Sequence, residues 1–284
     1  LKAVGGILVD KPAGMTSHDV VAAIRHRFET PAVGHTGTLD PFATGLLVLV
    51  IGSATRLTRF IEADRKCYLA TARLGFATTT DDGTGSPLGP EWTGPWPSRV
   101  EIEAALAELV GTAPQQPPQY SAKQVGGRRS YAVARRGGTL ALEPVAVTVH
   151  SATLLGYDPP VLEWRALVGP GTYLRAMARD LGARLGVGAH LAELRRERIG
   201  PFAVTDAAPL TEITGREPLI APVDLLSGLR RVEVSPDEVA RLRLGQRVGT
   251  AEGTDPTALV AGAELIAVAE PRDGRWQPVV VMAA

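Results

Sequence analysis

The sequence predicts an α+β protein: a mixed, mostly antiparallel sheet flanked by helices, with a basic insertion and a small β-rich C-terminal domain. Three observations carry this expectation. Runs with the two-residue period of strands alternate irregularly with stretches of helical period, without repeating βα units or internal repeats. A window from 109 to 142 holds no acidic residue but contains Lys123, Arg128, Arg129, Arg135 and Arg136 among prolines and tyrosines. Beyond residue 229 the texture shifts to short β runs. At 284 residues and 45% hydrophobic, the chain can bury a sizeable core as one large or two modest domains. The expected division is 1–228, with the insertion at about 112–142, and 229–284.

Residues 7–9 form a short strand that enters the turn Asp10-Lys11-Pro12-Ala13-Gly14, after which Thr16 or Ser17 caps a helix. That helix carries Val20, Val21, Ile24 and Phe28 on one face. Residues 34–41 are too rich in glycine and polar side chains for core, whereas 46–51 is a buried strand. Tyr68, Ala70, Ala72 and Leu74 share one face of another strand. Residues 78–97 are expected to be a surface connection. Ser98 and Glu101 then form a capping box for a helix bearing Ile102, Ala105, Leu106, Leu109 and Val110.

Strands at 145–149 and 161–168 are joined across residues 156–160 and should pair antiparallel. Gly171-Thr172 is expected to cap a helix with the stripe Leu174, Met177, Ala178, Leu181 and Leu185, and with Arg175 and Arg179 along one edge. Residues 190–198 are expected to form a second short helix. In the C-terminal part, Ser235-Pro236 starts a helix that Leu244-Gly245 ends, and strands follow at 258–261, 265–269 and 279–282.

Thirty basic residues balance thirty acidic ones, so any polyanion must be met by segregated charge. The basic window and the Arg-rich region from Arg175 to Arg198 provide such segregation, whereas residues 249–284 are acidic. The single cysteine, Cys67, permits no internal disulfide and suits a reducing compartment, so a cytoplasmic location is expected. The longest apolar run, 46–51, is far short of a membrane span, and the N-terminus lacks a signal-peptide pattern. Phosphate-loop, dinucleotide, hydrolase-elbow and zincin motifs are missing. His18, His26, His35, His150 and His190 are scattered without metal-ligand spacing, apart from His18 and His26 eight apart on one predicted helix, so no metal is expected.

Between Glu29 and Glu62 the only carboxylate is Asp40, in a Gly-rich loop with His35 five residues before it. On local pattern Asp40-Pro41 fits best a helix N-cap with Pro at N1, or a turn start; the functional reading is a nucleophile or general base. Paired-carboxylate glycosidase chemistry needs a second acid about 5–9 Å away. The loop supplies one.

Residues 34–41, Gly-His-Thr-Gly-Thr-Leu-Asp-Pro, with Ala43-Thr44-Gly45, closely resemble the catalytic motif of the TruB-type tRNA pseudouridine synthases. Four further blocks resemble that family in the same order. They are the stretch from Asp10 to Ser17, Lys66-Cys67-Tyr68, Pro117-Pro118-Gln119-Tyr120-Ser121-Ala122, and residues 171–175 followed by 189–196. The likeness runs from about Ile7 to Phe202.

It implies the pseudouridine synthase fold and isomerisation of the T-loop uridine at tRNA position 55, without metal or organic cofactor. By resemblance Asp40 is the nucleophile, with attack at sugar or base left open. Tyr68 stacks on the target base and can serve in proton abstraction. Arg175 pairs with the Asp40 carboxylate, His35 fills the space of the flipped nucleotide, and Tyr173 and Leu194 line the uracil pocket. The insertion residues Lys123, Arg128, Arg129, Arg135 and Arg136 face the RNA backbone, although the family's usual lysine stands where this chain has Gln124. Residues 229–284 sit where relatives carry a PUA-like module, and the protein is expected to act as a monomer on the tRNA T stem-loop. A non-catalytic tRNA-binding or tRNA-folding module on the same scaffold is the alternative.

Overall fold

The computed structural model describes residues 3–62, 65–120, 124–125, 128–129, 138 and 140–282. In chain order, β1 (Gly5–Lys11), α1 (Ser17–Arg27), β2 (Val33–His35), β3 (Thr44–Ile51) and α2 (Thr58–Glu62) come first. There follow β4 (Lys66–Leu74), the short pair β5 (Ala77–Thr78) and β6 (Pro87–Leu88), α3 (Arg99–Ala107) and β7 (Gly111–Gln115). Next are β8 (Gln124–Val125), β9 (Arg128–Arg129), β10 (Val145–Asp158), β11 (Val161–Val168), α4 (Leu174–Arg184) and β12 (Ala189–Ile199). The chain closes with β13 (Phe202–Ala203), β14 (Ala208–Pro209), β15 (Arg230–Glu233), α5 (Pro236–Arg243), β16 (Thr257–Ala261), β17 (Glu264–Arg272) and β18 (Arg275–Val281). No helix among the described residues is long and apolar enough to cross a membrane.

The fold divides into two compact units, residues 1–64 with 198–284, and residues 65–197. In the first, β1 lies between β3, antiparallel from Gly5↔Ile51 to Lys11↔Gly45, and β14, parallel. Thr16 caps α1: its hydroxyl accepts the Asp19 N–H, and the Asp19 carboxylate accepts the Thr16 N–H. α1 then buries Val20, Val21 and Ile24 against Ile7 and Val9 of β1 and Leu47, Leu49 and Ile51 of β3. Each such side chain contributes about 1.5–3 kcal/mol. The opposite-facing residues Leu46, Val48 and Val50 pack with Leu8, Leu57, Ala258, Val260 and Val268. Thus β3 is apolar throughout because both its faces are covered. Residues 229–284 have their own sheet, in order β15-β16-β17-β18, and contribute to that shared cluster.

In the second unit the strand order is β12-β4-β11-β10-β7. Tyr68, Ala70, Ala72 and Leu74 of β4 alternate into the interior, as their period demands. The capping box of Ser98 and Glu101 opens α3, which packs on β10. The two-residue strands β8 and β9 pair antiparallel through Gln124↔Arg129 and Val125↔Arg128. The insertion positions Lys123, Arg135 and Arg136 lie outside the described residues.

Three expectations need correction. Residues 190–198 are not a helix but belong to strand β12. The helix-like spacing of Leu191 and Leu194 is overridden by backbone pairing: the Leu191 N–H donates to the Asp81 carbonyl, and the Gly83 N–H to that of Leu191, both at 3.0 Å. The residue capping α4 is Tyr173, because the Thr172 hydroxyl turns back to donate to the Gly169 carbonyl. Residues 78–97 are not simply a surface connection, since Thr78, Asp81 and Asp82 are buried. α4 approaches the start of β12 so closely at Gly182 that a Cβ there would stand 2.2 Å from the Ala189 nitrogen.

Candidate active site

The first unit holds Asp40 by the backbone on both sides. Ser17, 1% exposed on α1, accepts the Leu39 N–H at 2.9 Å and donates to the Leu39 carbonyl at 3.3 Å. On the other side the Pro41 carbonyl accepts the Gly14 N–H at 2.8 Å and the Lys11 ammonium at 3.3 Å. Lys11 is fully buried, and its Nζ also donates to the carbonyls of Pro12 at 2.9 Å and Met15 at 2.6 Å. The Asp10–Met15 turn is thereby wrapped around one ammonium. The Ala43 N–H donates to the Asp40 carbonyl at 3.1 Å and closes a turn with Pro41 in its second position. The turn expectation and a presented carboxylate are therefore compatible. His35 ends β2, and its ring meets His18 edge to face with centroids 5.7 Å apart. The side chains of Asp40 and His35 are half-buried.

The second unit holds Tyr68, Tyr173, Arg175 and Leu194. Lys66 and Tyr68 lie on the buried face of β4. Cys67, facing the other way, approaches the Glu197 carboxylate at 3.6 Å. Glu197 in turn accepts a two-point bond from Arg165, which holds its pKa below the usual carboxylate range. Leu194 is buried on β12. Tyr173, half-buried, precedes α4, and one residue into that helix Arg175 is 4% exposed.

The Arg175 guanidinium donates to the carbonyls of Thr80 at 3.0 Å and Tyr120 at 2.8 Å and stands 3.6 Å from the Asp82 carboxylate. One turn later Arg179 pairs with Asp81 at 2.8 Å and donates to the Gln116 carbonyl at 3.0 Å. Thus the edge shared by these two arginines is an ionic seam against the loop of residues 79–84, rather than a solvated helix face. Burial raises the Asp81 pKa despite the opposing charges of Arg179 and Arg175. Asp82 is tied into its loop by Thr80 and Thr84: both hydroxyls and the Thr84 N–H donate to Oδ1.

Residues 25–174 match the N-terminal domain of the TruB family pseudouridylate synthases, and residues 175–217 match a tRNA pseudouridylate synthase B C-terminal domain. The chain belongs to the TruB family. Its sequence is 43% identical to tRNA pseudouridine synthase B of Thermobifida fusca (strain YX) over 98% of each chain. It is 44% identical to the protein of that name from Leifsonia xyli subsp. xyli (strain CTCB07), covering 90% of this chain and 89% of the relative. The fold is that of a chain in an H/ACA RNP bound to a substrate RNA containing 2'-deoxyuridine, with TM-score 0.74 and 23% identity over 98% of this chain and 84% of that one. A chain in a Cbf5-Nop10-Gar1 complex matches with TM-score 0.74 at 25% identity, over the same shares.

Beside the TruB-type motifs, the structure brings forward residues that the sequence pattern does not single out. Ser17 fits a helix cap as well as Thr16 does, and only the packing shows that it turns inward to Leu39. Asp81 and Asp82 sit in Thr78-Thr79-Thr80-Asp81-Asp82-Gly83-Thr84, a composition typical of exposed turns. Their signal was available in the charge register: two adjacent acids match two arginines one helical turn apart.

Proposed function

We propose that this protein isomerises uridine 55 in the T loop of tRNA to pseudouridine, with Asp40 as the nucleophile. The observation that carries the proposal is the two-sided clamp on the Asp40 backbone, Ser17 on Leu39 and Gly14 with Lys11 on Pro41. It presents one carboxylate from a fixed turn, which is what nucleophilic catalysis needs. The relatives named tRNA pseudouridine synthase B support tRNA as the substrate.

In the reaction the N1–C1′ bond breaks and a C5–C1′ bond forms, while the C5 proton leaves and N1 gains one. Nothing is oxidised or consumed, so the chemistry calls for no redox partner. The base must leave its stack to be reached, at a cost of a few kcal/mol. We assign Tyr68 to stack on the flipped base and to assist removal of the C5 proton, and His35 to fill the vacated space. Tyr173 and Leu194 line the uracil pocket, and Arg175 favours the ionised nucleophile. Lys123, Arg128, Arg129, Arg135 and Arg136 meet RNA phosphates. The test is pseudouridine mapping on unmodified tRNA: product at position 55 is expected from the native chain. Asp40→Asn should bind tRNA normally and give none; full turnover by this variant refutes the nucleophile assignment.

A further inference from the structure

Three glutamines at the root of the insertion pair with backbone through their side chains. Gln115, 6% exposed at the end of β7, accepts the Tyr173 N–H on Oε1 at 2.9 Å and donates from Nε2 to the Tyr173 carbonyl at 3.2 Å. Gln119 repeats this two-way arrangement with Leu140, donating to its carbonyl and accepting its N–H, both at 3.1 Å. Gln116 donates to the Leu142 carbonyl at 2.9 Å.

The reason lies in the intervening sequence. β7 pairs with β10 up to Gln115↔Val145, but Pro117 and Pro118 have no N–H to continue the ladder. A glutamine amide carries the same donor and acceptor as a peptide group. Gln116 and Gln119 therefore extend the pairing by side chain towards Leu142 and Leu140, and Gln115 does the same towards α4. The α4 N-terminus needs such help, because the Tyr173 side chain makes no cap bond and the first N–H groups of a helix have no internal acceptor. Arg179 on the Gln116 carbonyl and Arg175 on the Tyr120 carbonyl tie the same root to the same helix.

We propose that Gln115 is a positioning residue for the isomerisation, fixing the Tyr173 backbone to the root of the insertion so that the root and the Tyr173–Arg175 turn move as one body. This rests on the assignment of Tyr173 and Arg175 to the reaction. Loss of the amide leaves tRNA affinity intact but lets that turn drift from its productive placement.

The experiment compares the native chain with Gln115→Met, which removes both bonds, and Gln115→Glu, which keeps the acceptor facing the Tyr173 N–H. Steady-state pseudouridine formation on a tRNA transcript should show kcat reduced by about tenfold to hundredfold in Q115M, with KM within about twofold of native. Q115E keeps the acceptor for the Tyr173 N–H but sets a second oxygen against the Tyr173 carbonyl in place of the donor, so its kcat should also fall below native at unchanged KM. Amide exchange at Tyr173 should speed up by about tenfold or more in Q115M. Native kcat in a folded Q115M, or a raised KM at unchanged kcat, overturns the proposal. If Q115M does not fold, Q115E decides alone: lowered kcat at unchanged KM supports the role, and native kcat overturns it. Absence of product from the native chain is a distinct outcome that sinks the functional assignment and the positioning role with it.

Discussion

Replacing Ser17 by alanine tests whether the Asp40 turn is held from α1. Ser17 is buried, and its hydroxyl both accepts the Leu39 N–H and donates to the Leu39 carbonyl. Stranding a buried N–H costs about 1–3 kcal/mol, and losing the longer second bond adds about 0.5–1 kcal/mol. The expected destabilisation is therefore about 1.5–4 kcal/mol by urea unfolding. Because Leu39 adjoins Asp40, a shift approaching 1 Å there should slow single-turnover pseudouridine formation by about tenfold to hundredfold at saturating tRNA. Thr16→Ala is the matched control. It removes the α1 cap, worth about 0.5–2 kcal/mol, but no bond to Leu39, so stability should fall while the rate holds. An S17A protein with native stability and native single-turnover rate refutes the clamp; equal rate losses in S17A and T16A would show that general loosening, not the Leu39 bridge, sets the rate.

Arg179→Met should make stability more pH-dependent. Asp81 already has a pKa raised by burial, and losing its partner raises it further. A carboxyl raised above its ordinary value of 3.8 favours the protonated folded state, so melting temperatures should drop more steeply as pH rises above about 4 than in the native chain. Glu217 has the opposite sign. Bonds from Thr214 and Gly215 hold its pKa at about 2, so its contribution is present above its ordinary 4.5 and is lost as pH falls towards that lower value. Glu217→Gln should flatten the stability profile over that acid window, and an unchanged acid limb counts against the Thr214 and Gly215 bonds as the cause. Neutralising Arg128, Arg129, Arg135 and Arg136 together should weaken tRNA binding and lower the slope of log K against log salt by up to about three, measured by salt titration; an unaltered slope removes these residues from phosphate contact.

The elements legible in the sequence are those whose signal is local. Thr16 with Asp19, Ser98 with Glu101 and Ser235 with Glu238 announce helix starts because a capping box is complete within four residues. The alternation of Tyr68 to Leu74 and the apolar run of β3 announce strands for the same reason. β12 was illegible because its Leu, Glu and Arg content favours a helix, whereas pairing with β4 and the Asp81 loop, more than a hundred residues away, makes it a strand. Within the candidate site, Asp40 stood out because no other acid lies near it in sequence. Asp81 and Asp82 did not, because their chemistry depends on arginines in α4, and the role of Gln115 depends on proximity to Tyr173.

One unit is sequence-continuous and the other is not: residues 1–64 reach their complement only at 198–284, after the whole of 65–197 has been made. On the ribosome, at about 5–20 residues per second, the apolar strand β3 emerges on the order of ten seconds before Ile199, Ala258 and Val268 can cover it. The intervening unit has all its strands and helices in one stretch and can fold during that interval. The nascent chain thus offers chaperones one uncovered apolar face of β1 and β3, carrying Leu8, Leu46, Val48 and Val50, and a chain that stopped before residue 198 would leave that face uncovered.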